Sequence, residues 1–132
     1  MNVRYSSVAI LYMLFVIYLS SIPAGSFPGS GSVTEQTLSN LAHIPEYGLL
    51  AFLWLKVFAG NENTDTFSVV NILILSGVMI FAVSDEIHQS FVPGRSASFI
   101  DIGLDGLGAL LGLWALRILR DPPIGRYRDP TN

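Results

Sequence analysis

The residues able to do chemistry gather in a few places. His43 and Glu46 form one pair, Asp85, Glu86, His88 and Gln89 a second group, Arg95 and Ser96 a third, and Asp101 and Asp105 a fourth. On a helix, His43 and Glu46 (i, i+3), Asp85 and Gln89 (i, i+4), and Asp101 and Asp105 (i, i+4) each share a face. Three kinds of chemistry suit these types, and all ten residues stand as catalytic candidates. A hard divalent cation such as Mg²⁺ or Ca²⁺ takes all-oxygen donors, and Glu46, Asp85, Glu86 and Asp101 are the metal candidates. A di-iron carboxylate centre needs paired Glu-x-x-His repeats. The chain offers only the reversed His43-x-x-Glu46, and Glu86-x-His88 has the wrong spacing for one helix face. An imidazole, His43 or His88, is the group that moves protons near neutral pH. Finally, Pro93-Gly94-Arg95-Ser96-Ala97-Ser98 resembles an anion-holding turn: Gly94 bends, Arg95 offers a fork, and Ser98 at a helix N-cap adds partial positive charge. Structural roles compete with each of these. The histidines suit a hydrogen-bonded network, Arg95 suits a clamp onto Asp101 or Asp105, and the turn suits a hairpin with a capping serine.

The elements that carry these residues are apolar. Of 132 residues 51% are hydrophobic and 13% charged, about half the charge of a soluble domain. Four nearly charge-free runs, at about 5–22, 41–59, 67–88 and 99–119, approach or match the length that crosses the hydrocarbon of a bilayer. The expected fold is all-α, an integral membrane bundle of four transmembrane helices forming one domain over 1–132. The competing reading of the first run is a cleaved signal peptide, since Arg4 precedes it and Ile22-Pro23-Ala24 ends it. Residues 23–40 read as a disordered or interfacial loop, with a short interfacial helix at Thr34 to Asn40. Pro45 is expected in a first helical turn, where its missing N–H costs nothing. Residues 121–132 read as a polar tail. Gly108-Ala109-Leu110-Leu111-Gly112 is a G-x-x-x-G pattern that lets helices approach closely. It continues the Asp101–Asp105 stripe, so that face should point into the bundle. A carboxylate such as Asp105 facing lipid would cost about 2.5–3.5 kcal/mol.

With the N-terminus cytoplasmic, Arg4, Lys56, Arg117, Arg120, Arg126 and Arg128 lie inside and Arg95 alone outside, six against one. That bias is the positive-inside pattern. The expectation is a multi-pass inner-membrane protein with cytoplasmic termini. All ten candidate residues then converge at the outer rim of the bilayer. The lipid bilayer is one expected partner, and a lipid-linked or cell-wall precursor is another. An oligomer stays open. No basic stripe points to nucleic acid, and a chain with zero cysteines has no disulfide or thiolate site. Four short helices without an inverted repeat leave little room for a channel or transporter.

The segment Ser84-Asp85-Glu86-Ile87-His88-Gln89-Ser90-Phe91-Val92-Pro93-Gly94-Arg95-Ser96-Ala97-Ser98, followed by Asp101 and by Asp105-Gly106-Leu107-Gly108-Ala109-Leu110-Leu111-Gly112, resembles the signature of the VanZ-like membrane proteins. His43-Ile44-Pro45-Glu46-Tyr47-Gly48-Leu49-Leu50 is similar to that family's second-helix motif, and the likeness extends over Ser39 to Leu119. Ser39-Asn40 departs from the Asp-Lys the family commonly carries there. The resemblance implies a small helical membrane domain in a cell-envelope setting, associated with low-level resistance to the glycopeptide teicoplanin. It supplies no reaction, cofactor or catalytic residue. Two functions follow as expectations: a non-enzymatic factor binding an envelope ligand or partner, or a membrane enzyme acting on a lipid phosphate or pyrophosphate. For the second, Pro93-Gly94-Arg95-Ser96 has a loose similarity to the loop of undecaprenyl pyrophosphate phosphatases, and a divalent cation would assist.

Overall fold

A computed structural model describes residues 3–24, 26, 33–58 and 68–120. They form four helices: α1 (Val3–Ser20), α2 (Val33–Phe58), α3 (Val69–Gln89) and α4 (Phe99–Arg120). Three of them, over Ser39–Phe58, Val69–Gln89 and Phe99–Arg120, are long and apolar enough to cross a membrane. The fourth apolar helix, over Arg4–Ser20, is shorter. In a solvent without hydrogen-bonding partners, only structures that satisfy their own backbone can span, and a helix does so within one segment.

Around an apolar core that includes Val16, Tyr47, Leu50 and Leu55, the bundle buries polar groups and exposes large apolar ones. Asn71, Asp85, Glu86, Gln89, Asp101 and Asp105 are buried, while Leu11, Leu14, Leu73, Ile80, Trp114 and Leu119 are exposed. That distribution fits hydrocarbon outside and hydrogen bonds inside.

Successive helices alternate in direction. The Lys56 amino group, near the end of α2, lies 6.0 Å from the ring centre of Tyr5 at the start of α1. At the opposite end, Arg95 before α4 reaches the carbonyls of Leu19 and Ile22 after α1. The most extensive helix pair is α2 with α4. It is built on Gly48, Gly108 and Gly112: a methyl group on Gly108 would collide with the Ile44 carbonyl, and one on Gly112 with the Gly48 carbonyl. The stripe Asp101, Asp105, Gly108, Gly112 is buried along its whole length. An apolar groove of about 540 Å³ lies between α1, α2 and α3, lined by residues such as Met13, Trp54, Leu73 and Phe81.

Two expectations about α2 need correction. The helix starts at Val33, so Thr34 to Asn40 is no separate interfacial element and the second helix begins well before residue 41. Pro45 stands inside this helix rather than in its first turn. Its ring lies on the exposed side, and interior prolines are tolerated in membrane helices because neighbouring groups resatisfy the backbone they free. The expected polar tail at 121–132 lies outside the described residues.

Candidate functional site

The site forms at the end of the bundle where α1 and α3 finish and α4 begins, and the turns there are made by specific residues. Gly94 adopts φ 78°, the left-handed region open to glycine at no steric cost. This turns the chain between α3 and α4, with the Arg95 amide donating to the Val92 carbonyl at 3.1 Å. Ser98 then caps α4. Its hydroxyl accepts from the Ile100 amide at 3.1 Å, while its own amide donates to Glu86 Oε2 at 2.8 Å. One carboxylate of α3 therefore fixes the start of α4. The Ala24 amide donates to the Pro93 carbonyl at 3.2 Å, tying the segment after α1 to the same turn.

Inside, a polar chain links all four helices. His43 Nδ1 lies 2.8 Å from Asp105 Oδ1. The His43 ring runs parallel to Tyr47, one turn further along α2, with centroids 6.2 Å apart. The Tyr47 hydroxyl donates to Asp85 Oδ2 at 3.3 Å, and Gln89 Nε2 donates to the same oxygen at 3.1 Å. Gln89 Oε1 in turn accepts from Arg95 Nη1 at 3.3 Å. The remaining Arg95 bonds go to main-chain carbonyls, Nε to Ile22 at 2.9 Å and Nη2 to Leu19 at 3.2 Å. The expected clamp of Arg95 onto Asp101 or Asp105 is thus replaced by a cap on the end of α1. The last carbonyls of a helix lack partners further along it; here the Leu19 carbonyl also accepts from the Ile22 amide at 3.2 Å, and the planar fork of Arg95 serves two carbonyls at once.

Of the ten candidates, His43, Asp85, Glu86, Gln89, Asp101 and Asp105 are buried near one end of the bundle. Glu46 is half-buried on α2, and its main-chain carbonyl accepts from Tyr12 at 3.2 Å. His88 and Ser96 are exposed, His88 Nε2 sitting 3.0 Å from the Ser21 hydroxyl. Four were proposed to share a cation, but Asp85 is turned aside to Tyr47 and Gln89. The set within reach of one ion is different: His43, Glu86 and Asp105 each offer an atom within 4.8 Å of the others. Tyr47 and Gly48 were absent from the candidates. The signal for Tyr47 was its i, i+4 spacing from His43; Gly48 gave none, because its purpose appears only when α4 lies against it.

The electrostatics are lopsided. Glu86 Oε1, Asp101 Oδ1 and Asp105 Oδ2 are buried and have no hydrogen-bond partner among the described residues. An orphaned buried acceptor costs about 1–3 kcal/mol, more when charged, so this cluster is built to receive a proton, a donor or a cation.

The VanZ/LLP1 family model matches residues 6–120, and the chain belongs to that family. No curated protein matches the chain, and no solved structure does.

Proposed function

We propose that this VanZ/LLP1 member sits in the bacterial inner membrane with both termini cytoplasmic, and binds the headgroup of a lipid-linked or cell-wall precursor at its outer end. One observation carries the reading. An exposed polar rim, formed by Ser21, His88, Ser90 and Ser96, lies at the same end as a buried acidic cluster. The Ser21 and Ser90 hydroxyls donate to the Ile17 and Ile87 carbonyls and so present acceptor oxygens, beside the His88 imidazole and Ser96, to the N–H and O–H groups of sugars, amides or amines. The chain around them is braced by Arg95 and Gly94. The bilayer holds the apolar tail of such a molecule beside an apolar bundle surface. Binding a precursor that glycopeptides also recognise accounts for a link to teicoplanin resistance. The test is the minimum inhibitory concentration of teicoplanin in cells making the wild type or a His88→Ala/Ser96→Ala double variant at equal membrane abundance. The wild type should raise it and the double variant should not. No rise with the wild type, together with no retention of the precursor by purified protein, would overturn the reading.

A second reading, hydrolysis of a lipid phosphate or pyrophosphate, draws on the His43–Asp105 contact at 2.8 Å, the arrangement in which a carboxylate orients a general base. Water would attack phosphorus, the P–O bond to the leaving group would break, and His43 would take the proton. Arg95 contributes less than its type suggests, because three of its five N–H donors are committed to Leu19, Ile22 and Gln89. Phosphate release from undecaprenyl pyrophosphate, with and without Mg²⁺ and with Glu86→Gln as the comparison, decides it; no release in any condition removes that substrate.

A further inference from the structure

From the way three helices aim donors at one buried point, we infer that His43, Glu86 and Asp105 form a centre for a divalent transition metal, with Asp101 as an additional carboxylate. This goes beyond ligand binding at the rim and does not depend on it. Two independent observations support it. The donor atoms of His43, Glu86 and Asp105 all lie within 4.8 Å of one another. Tetrahedral bonds of about 2.0–2.2 Å put ligand atoms about 3.3–3.6 Å apart, so the side chains draw in by up to about 1 Å to close around one ion. Separately, Glu86 Oε1, Asp101 Oδ1 and Asp105 Oδ2 are buried and have no hydrogen-bond partner among the described residues, on residues 2%, 6% and 0% exposed. The neighbouring carboxylate Asp85 supplies the contrast: Tyr47 and Gln89 both donate to its Oδ2.

Charge points the same way. Among the described residues the one guanidinium at this end, Arg95, bonds main-chain carbonyls and Gln89. Lys56, Arg117 and Arg120 belong to the far ends of α2 and α4. The His43 imidazole meets one oxygen of Asp105 at 2.8 Å, but one imidazole cannot neutralise three carboxylates. Those held out of water without a counter-charge cost several kcal/mol each, and an ion bound to two or three of them removes that cost. The donor set selects the ion. One imidazole with carboxylates suits Zn²⁺ or Mn²⁺ better than Mg²⁺ or Ca²⁺, which favour all-oxygen shells. His43, Glu86 and Asp105 leave a fourth position, which Asp101 closes in a structural site and water or substrate takes in a catalytic one.

The test uses the full chain purified in detergent, stripped with chelator, reloaded with Zn²⁺ and assayed for metal by mass spectrometry. About one Zn²⁺ per chain is expected, held against excess Mg²⁺. His43→Ala and Asp105→Asn should each weaken binding by at least about tenfold, the scale on which changes in a ligand shell act. Ser84→Ala, on the exposed side of α3, should bind as the wild type does. Folded wild type that retains no Zn²⁺, variants that bind as tightly as wild type, or displacement by Mg²⁺ would each overturn the assignment. Should the variants fail to fold, Co²⁺ loaded into the wild type decides. Visible bands of a four- or five-coordinate ion support the centre, and a spectrum like that of hydrated Co²⁺ refutes it.

Discussion

Glu86 has two oxygens with different surroundings. Oε2 accepts the Ser98 amide at 2.8 Å, and Oε1 is buried without a partner. Glutamine at this position keeps an acceptor for the Ser98 amide and loses the charge; alanine loses both. Glu86→Ala should therefore lower unfolding stability by about 1–2 kcal/mol, the scale of a lost cap or buried hydrogen bond, while Glu86→Gln stays close to wild type. Thermal unfolding of the detergent-solubilised protein measures the difference, and metal uptake should fall in both. Arg95→Lys makes a parallel case: an ammonium on a flexible stem cannot serve Leu19, Ile22 and Gln89 together, so protease cleavage after Ser20 should accelerate. At this scale the sequence was half legible. The i, i+4 stripes of Asp101–Asp105 and Asp85–Gln89 announced which carboxylates would turn inward. The destination of Arg95 was hidden, because its acceptors are main-chain carbonyls, and every residue carries one. The loss of Asp85 from the cation set was hidden too, since it depends on a tyrosine from another helix.

The contact between α2 and α4 rests on glycine rather than on side-chain fit. A methyl group on Gly108 would meet the Ile44 carbonyl, whereas one on Gly103, on the same helix, has nothing within 4 Å. Gly108→Ala should push the helices apart and cost about 1–3 kcal/mol or more, as overpacking does. Gly103→Ala should be neutral or slightly stabilising, because alanine forms helix better by up to about 1 kcal/mol. Tryptophan fluorescence during unfolding follows both, with Trp54 and Trp114 on the two helices in question. Separation of α2 from α4 also pulls His43 away from Asp105, so Gly108→Ala should weaken metal binding without touching a ligand. The glycine stripe of α4 was readable from its spacing. Its partner Gly48 and the early start of α2 at Val33 were not. Residues 33–40 are polar enough to read as loop, yet the helix continues through them because nothing after Val33 obliges it to stop.

Across the whole molecule, the cationic residues sort by end. Arg4 begins α1, and Lys56, Arg117 and Arg120 close α2 and α4, all at one end of an alternating bundle; Arg95 stands at the other with the acidic cluster. Cationic ends stay on the cytoplasmic side during insertion, so the cluster should face outward. The chain has zero cysteines, which makes single-cysteine variants clean reporters. Ser96→Cys, on the exposed turn before α4, should react with a membrane-impermeant maleimide in intact spheroplasts. Asn132→Cys should react only after the membrane is opened. The reverse pattern would put the cluster in the cytoplasm, where an envelope ligand could not reach the rim, and the proposed function would fail while the metal centre would stand. Orientation also bears on the ion itself. An outward-facing site draws from extracytoplasmic metal, so Zn²⁺ added to intact cells should protect the wild-type protein against thermal unfolding in the membrane. It should not protect Asp105→Asn.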